Sequence, residues 1–203
     1  MNRPFAESAE QNKQVIAEVV SKLFVDPGVV LEIGAGTGQH ARYFSSLFSH
    51  LHWWPSEVPE QMPILEQGVC DTGIENLANP IPLSIELDHN SVNTARVERS
   101  FDYLFTANTL HIMSWDLVVR LIQLASELLD EGGIFLSYGP YNVQGKFTSD
   151  SNARFDQWLK QRDAVSGIRD IDELRQEGKF VGLDIDDIIE MPANNKILVW
   201  RKI

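Results

Sequence analysis

An apolar run that ends in three glycines places the strongest constraint on how this chain folds. Residues 29–33 read Val-Val-Leu-Glu-Ile, and Gly34, Gly36 and Gly38 follow before a helix-like pattern resumes. β-Branched and aliphatic residues of this kind form strands that are buried on both faces of a parallel sheet. Glycine lacks a Cβ atom, so the turn can adopt positive φ angles and let a ligand contact the backbone. The segment therefore predicts a strand, a turn and a helix around a nucleotide-type cofactor site.

Strand-like and helix-like patterns alternate along the rest of the chain, as is typical of βαβ units around a parallel sheet. An opening helix carries an apolar stripe, and Ser8 with Gln11 forms a candidate capping box at its start. The elements predicted after the glycines are helices over 38–48 and 116–129 and strands over 51–54, 81–87, 103–107 and 134–138.

The C-terminal residues predict an antiparallel hairpin. A short helix over 171–177 precedes a strand over 183–190, a turn over 192–195 and a final alternating strand over 196–201. A dinucleotide-binding domain more often ends in another parallel βα unit, so this hairpin favours a different α/β class.

Composition predicts one domain over residues 1–203 and excludes several classes of function. A net charge of −12 argues against broad binding to nucleic acid, which depends on Lys and Arg. The single cysteine, Cys70, excludes an intramolecular disulfide, and we see no signal peptide or membrane-spanning apolar run. The histidines lack zinc spacing. We therefore expect a cytoplasmic protein with no metal and no membrane partner, and the oligomeric state stays open.

The spacing of the glycines separates two classes of cofactor. The dinucleotide fingerprint G-x-G-x-x-G needs a third glycine at position 39, where this chain has Gln39. The pattern Glu32-x-Gly34-x-Gly36-x-Gly38 instead resembles motif I of class I S-adenosylmethionine (SAM)-dependent methyltransferases. This resemblance implies a Rossmann-like α/β fold with a seven-stranded, mostly parallel sheet and an antiparallel C-terminal hairpin. A glycine-rich turn in some other α/β domain stays open as the alternative.

A narrower resemblance covers nearly the whole chain. Five segments resemble a family of methyltransferase-like proteins that is described as a domain of unknown function: residues 6–13, 107–112, 139–145, 148–156 and 191–195. The resemblance supports the fold and SAM binding and supplies no substrate. It also implies that the helix within residues 1–27, with Asn12 and Lys13, lies over the cofactor site.

The resemblance to class I methyltransferases implies a set of cofactor-binding residues. The backbone at Gly34, Gly36 and Gly38 would approach the methionine portion of SAM, and Glu32 suits its positive charge. Glu57, at the end of the second strand, matches the ribose ligand, although an exposed surface glutamate is the alternative. Asp88 matches the residue that meets the adenine amino group, or it caps a following helix. Asn108 would face the cofactor, and Asn12 completes the set.

Candidate residues for the acceptor side lie after the fourth and fifth strands. His111 is the best candidate for a general base because an unperturbed histidine has a pKa near 6.5, and a structural histidine is the alternative. Tyr141 is a second candidate to accept a proton or to orient the acceptor. Residues 139–170 are predicted to be a substrate-side insertion. Its candidate acceptor contacts are Tyr141, Asn142, Lys146, Asn152 and Arg169.

The combined interpretation is a SAM-dependent methyltransferase that acts on an oxygen, nitrogen or sulfur of a small molecule. The signature Asn/Asp-Pro-Pro-Tyr/Phe of nucleic-acid and protein methyltransferases is absent, because residues 108–111 read Asn-Thr-Leu-His. Two alternatives stay open. One is a non-catalytic SAM-binding sensor or interaction protein, and the other is an NAD-dependent oxidoreductase.

Overall fold

The computed structural model of this protein describes residues 3–86 and 100–203. Its helices are α1 (Glu7–Leu23), α2 (Gln39–Leu47), α3 (Met62–Val69), α4 (Trp115–Leu128), α5 (Asp150–Arg162) and α6 (Ile171–Phe180). Its strands are β1 (Gly28–Ile33), β2 (Leu51–Glu57), β3 (Ile81–Pro82), β4 (Phe101–Ala107), β5 (Leu129–Asn142), β6 (Arg169–Asp170), β7 (Leu183–Met191) and β8 (Asn195–Lys202). Short 3₁₀ turns cover Pro59–Gln61 and Pro192–Asn194.

One mixed sheet connects the strands of these described residues. Its order is β3-β2-β1-β4-β5-β8-β7, and the two-residue β6 pairs with the end of β5. The pairs from β3 to β5 are parallel, whereas β8 is antiparallel to both β5 and β7. This arrangement confirms the predicted class I methyltransferase fold, with seven strands on the main path and an antiparallel C-terminal hairpin.

After β1, the chain adds β2 and β3 on one side of β1 and then places β4 on its other side. The strand order therefore reverses at β1. In open α/β sheets, ligands bind at such a reversal, outside the carboxyl ends of the strands. The loops after β1 and β4 meet at this point. The topology therefore places the glycine turn and the segment after Ala107 side by side.

Two apolar layers cover the two faces of the sheet. Alternate strand residues such as Leu31 and Phe135 pack under α4 and α6 on one face. Their neighbours, such as Val30 and Leu136, pack under α1 and α2 on the other. Successive side chains of a strand point to opposite faces, so parallel strands with apolar residues at nearly every position need helices on both sides.

The structure corrects several predicted boundaries. Helix α1 begins at Glu7 with Ala6 as its N-cap, so Ser8 and Gln11 lie inside the helix and form no capping box. The Ala6 N–H instead donates to the side-chain oxygen of Gln39. Strand β3 is only two residues long, and Pro80 and Pro82 explain this because proline supplies no N–H to a ladder.

Two further differences affect the site. Strand β5 continues to Asn142, so residues 139–142 belong to the sheet and the predicted insertion begins only after them. Helix α3 was not predicted, although Pro63 lies in its first turn, where proline is favoured. A Cβ atom on Gly68 would lie 2.1 Å from the carbonyl oxygen of Thr37, which shows how closely α3 packs against the glycine turn.

One carboxyl group lies inside the layer under α1 and α2. Glu32 on β1 is 1% exposed, and its Oε2 accepts a hydrogen bond of 2.7 Å from the indole N–H of Trp53. Burial raises the pKa of Glu32 to about 8, the Trp53 hydrogen bond opposes the shift, and the charge of Glu57 adds to it. Glu32 is therefore mostly protonated at neutral pH.

We predict that Glu32 makes the protein less stable as the pH rises from 6.5 toward 8. In this range the folded protein holds a proton that the unfolded chain, with a carboxyl pKa near 4.5, has lost. The free energy of unfolding should therefore fall by up to about 1.4 kcal/mol per pH unit from this one group. Urea unfolding at pH 6.5, 7.0 and 7.5 should show a flatter dependence for Glu32→Gln, which keeps the acceptor for Trp53.

The matched control is Glu131→Gln, an exposed acid whose removal should leave the pH dependence of the native sequence unchanged. If the free energy of unfolding changed equally with pH in the native protein and in Glu32→Gln, Glu32 would ionise normally in the folded state, against this prediction.

Candidate functional site

The turn after β1 forms the base of the candidate site. Gly34, Gly36 and Gly38 all have left-handed φ angles, of 73°, 56° and 69°. These are conformations that glycine adopts without the steric cost that a Cβ atom brings. A Cβ atom on Gly36 would meet nothing within 4 Å, so the middle of the turn faces open space. The three glycines thus have the positive φ angles that the sequence predicted, and Gly36 is exposed.

Glu57 closes this turn from the neighbouring strand. Its Oε2 accepts a hydrogen bond of 2.8 Å from the N–H of Gly36, and its Oε1 accepts one of 2.9 Å from the N–H of Val58. The carboxylate is half-buried at the end of β2. The structure thus brings an acidic side chain and the open glycine backbone together.

A chain of polar contacts joins α1 to the start of α2. The ring Nε2 of His40 lies 2.7 Å from Oδ1 of Asn12, and both side chains are buried. The other ring nitrogen, Nδ1, lies 4.0 Å from Oε1 of Glu32. Burial lowers the pKa of His40 to about 4, and the charge of Lys13 adds to the shift. The imidazole is therefore neutral at neutral pH.

Further polar groups lie next to Asn12. Tyr138 on β5 and Asn195 on β8 line the same space as the Asn12 side chain. Burial raises the pKa of Tyr138, and the neighbouring amides of Asn12 and Asn195 oppose the shift. Neutral polar groups of α1, β5 and the C-terminal hairpin thus lie together.

Asn108 follows β4 at the reversal point of the sheet. It adopts a left-handed φ of 59°, and its N–H donates to the carbonyl oxygen of Tyr138 at 2.9 Å. The hydroxyl of Thr109 lies next to the glycine turn, since a Cβ atom on Gly34 would come within 2.9 Å of it. Asn108 therefore directly precedes the residue that contacts the glycine turn.

His111 is buried in the same segment after β4. Its ring packs edge-on against Phe155 at 5.3 Å, and its Nδ1 would lie 3.7 Å from a Cβ atom on Gly139. Burial lowers the pKa of His111 to about 4, and the charge of Arg169 lowers it further. No described residue hydrogen bonds to the imidazole. The ring is thus a neutral, weakly basic group.

The structure does not place Tyr141 or Arg169 at an open site. Tyr141 is 1% exposed in the layer under α4 and α6, and its hydroxyl donates to Ser137. Burial raises the pKa of this hydroxyl. Arg169 donates to the carbonyl oxygens of three loop residues: Leu110, Met113 and Val165. Both side chains are held by bonds within the protein itself, which makes them unsuitable as acceptor contacts.

The remaining predicted residues differ in their positions. Asn142 is half-buried, and its Nδ2 donates to the carbonyl oxygen of Ile168 at 3.4 Å. Lys13 pairs with Glu10 and lies 5.0 Å from the centre of the Tyr43 ring. Asn152 is buried near the start of α5. Asp88 lies outside the described residues.

A cavity of about 560 Å³ lies beside Asn108, between α1, α5 and the turn that joins β7 to β8. Its lining includes five asparagine side chains, namely Asn12, Asn108, Asn152, Asn194 and Asn195. We call it the amide cavity. Tyr138, Asn194 and Asn195 also line it, although none of them was predicted as a site residue from the sequence. The resembling segment 191–195 was the signal that could have indicated the last two.

The described residues hold neither a metal cluster nor a membrane-spanning helix. In residues 3–86 and 100–203, no three His, Cys, Asp or Glu side chains are grouped so as to hold a metal ion. Among the helices in the described part of the chain, none has the length and apolar character needed to cross a membrane.

Comparison with solved structures places this geometry among known folds. An O-methyltransferase family protein from Burkholderia thailandensis matches with a TM-score of 0.78 and 14% identity, over 97% of this chain and 57% of the other. The mitomycin 7-O-methyltransferase MmcR matches with a TM-score of 0.78 and 16% identity, over 97% and 54%. Human N-acetylserotonin methyltransferase, solved in complex with SAM, gives 0.74 and 14%, over 97% and 53%.

These matches establish the fold that the chain shares with SAM-dependent methyltransferases, and the chain spans little more than half the length of each of them. A family model described as "Protein of unknown function (DUF938)" matches residues 3–202. The chain therefore belongs to the DUF938 family and has the class I methyltransferase fold.

Proposed function

We propose that this protein binds SAM at the glycine turn and transfers its methyl group to a small molecule. The observation that carries the proposal is the contact between Glu57 and the N–H of Gly36, at the reversal point of a sheet with the methyltransferase order. A carboxylate at this position can accept hydrogen bonds from both hydroxyls of a ribose. The open space over Gly36 leaves room for the ligand against the backbone.

The residues around the turn fit the chemistry of this cofactor. SAM carries its methyl group on a sulfonium, which makes it an activated donor, so that transfer depends chiefly on proximity and orientation. Asn108, which follows β4, lines the amide cavity with a side-chain amide that can orient a polar group. Glu32 is buried on β1, just before the turn. Its hydrogen bond from Trp53 joins β1 to β2 and so supports the turn.

Few groups near the amide cavity can act as a general base. None of the described residues that line it is Asp, Glu or His. The pKa of the nearby Tyr138 is raised by burial, and that of His111 is lowered to about 4. A general base works best with a pKa near the working pH. We therefore propose that the protein acts by holding the two reactants together, and that His111 has a packing role.

The matched structures support a small-molecule acceptor. Two of them are named for the methylation of mitomycin and of N-acetylserotonin, which are small molecules. The amide cavity, at about 560 Å³, is of a size that suits such ligands.

We predict that the protein binds SAM and S-adenosylhomocysteine, and that Glu57→Gln weakens SAM binding by roughly tenfold or more. The amide keeps the shape of the side chain but replaces a charged acceptor of ribose hydroxyls with a weaker, neutral one. Isothermal titration calorimetry of both variants measures the change. Glu60→Gln removes the same charge from an exposed position three residues later and should leave the affinity unchanged.

NAD, titrated under the same conditions, distinguishes the alternative cofactor. Binding of NAD without binding of SAM would overturn the proposal. A radiolabelled methyl-transfer screen over metabolites then separates an enzyme from a sensor, since SAM binding without transfer to any acceptor would favour the non-catalytic alternative.

We predict that His111→Gln lowers kcat by less than about tenfold once an acceptor is known. Loss of a true general base typically costs 10²- to 10⁴-fold. Because a packing residue gives up no proton during the reaction, kcat should depend on pH in the same way in the native protein and in His111→Gln. A loss of more than a hundredfold, together with a lost ionisation in the profile, would restore His111 as the base.

A further inference from the structure

We propose that the acceptor is an uncharged molecule with an apolar body and a hydrogen-bonding edge, held by the amide cavity. The inference rests on the proposed function, because it names the class of molecule that is methylated. It excludes carboxylates, phosphates and ammonium compounds as preferred acceptors. Four features of the cavity carry it.

The first feature is the absence of charge from the described part of the cavity wall. This chain has 17 Lys and Arg residues and 29 Asp and Glu residues, yet none of them is among the described residues that line the cavity. A charged ligand would lose hydration on entering and would find no opposite charge in this wall. An uncharged ligand avoids that loss.

The second feature is the supply of amide groups with free hydrogen-bonding capacity. The Nδ2 of Asn152 donates to Thr148 Oγ1 at 3.0 Å and to the carbonyl oxygen of Asn194 at 3.2 Å. These two bonds fix the side-chain amide of Asn152, and its Oδ1 accepts no hydrogen bond from the described residues. The side-chain amide of Asn108 also has no described partner. Together they offer acceptors and a donor to a neutral ligand that carries both.

The third feature is a strained turn in the cavity wall. Ala193 and Asn194 both have left-handed φ angles of 59°, a region that alanine in particular rarely adopts. The hydrogen bond from Asn152 and a bond of 3.3 Å from Asn194 Nδ2 to Ser151 Oγ hold the turn against α5. Strain of this kind persists at binding sites, where it preserves a shape. The segment 191–195 thereby gains a role in acceptor recognition.

Apolar side chains complete the wall and require an apolar ligand body. Val15, Pro140, Phe155 and Pro192 line the cavity between the amides. The Phe155 ring is held in place by a stacked Trp158 ring, with the two centroids 5.7 Å apart and the planes 17° from parallel. An aromatic or aliphatic body fits against these surfaces, while the amides take the polar edge.

The test uses fragments in matched sets whose members differ only in a carboxamide, a carboxylate or an aminomethyl group. Binding is measured by saturation-transfer NMR with S-adenosylhomocysteine present, and affinities are taken from titrations. The carboxamide members should bind roughly tenfold more tightly than their charged partners, which corresponds to the penalty of an unpaired charge or polar group.

A single substitution should reverse this preference. Asn195→Asp places a carboxylate in the wall and should weaken binding of the carboxamides while it strengthens binding of the aminomethyl compounds. Asn79→Asp, an exposed asparagine that is not part of the cavity lining, adds the same charge elsewhere and should leave the order of affinities unchanged.

Failure of this inference can be told apart from failure of the proposed function. SAM binding by calorimetry is read on the same samples, and its loss would count against the proposed function. With normal SAM binding, charged members that bind as well as the neutral ones would overturn the inference. So would the failure of every carboxamide to bind, or an unchanged order of affinities in Asn195→Asp.

Discussion

The pairing register between β1 and β2 is the constraint on which the candidate site depends. Ile33 pairs with Ser56, so Glu57 ends its strand directly beside the first glycine of the turn. The left-handed path through Gly34 and Gly36 then brings an N–H back to the carboxylate. A slip of one residue would turn Glu57 to the other face of the sheet and break this contact. The apolar side chains on the two faces of β1 and β2 prevent such a slip, because the slip would move each of them to the wrong layer.

Neutral polar groups in the layer under α1 and α2 give the site its second characteristic. Glu32 is protonated at neutral pH, the uncharged His40 contacts Asn12, and Tyr138 lines the same space as Asn12. Buried polar groups stabilise a fold only when they find partners, and here each partner belongs to a different element. The chain of contacts therefore fixes the position of α1 over the sheet, and it does so without placing a charge next to the amide cavity.

The sequence predicted the sheet class, the glycine turn and the position of Glu57 because these depend on local patterns and on spacing along the chain. It failed where tertiary contacts decide. The capping box at Ser8 competes with a bond from Ala6 to Gln39, which no local pattern shows. Tyr141 lies in a segment that the sequence predicted to be a substrate-side insertion. Because β5 extends to Asn142, the Tyr141 side chain packs instead in the layer under α4 and α6. The amide cavity draws on five separate segments, so only their assembly could reveal it.

The hydrogen bonds of Arg169 have a consequence for how this fold can change. One guanidinium ties the carbonyl oxygens of Leu110 and Met113, which follow β4, to that of Val165, which follows α5. The two loops therefore form one mechanical unit. We therefore expect a mutation that reshapes the loop after α5 to shift the backbone beyond Asn108 as well. In the described part of the chain, the turn between β7 and β8 has no such tie to Arg169, so it can change shape without moving the other two loops.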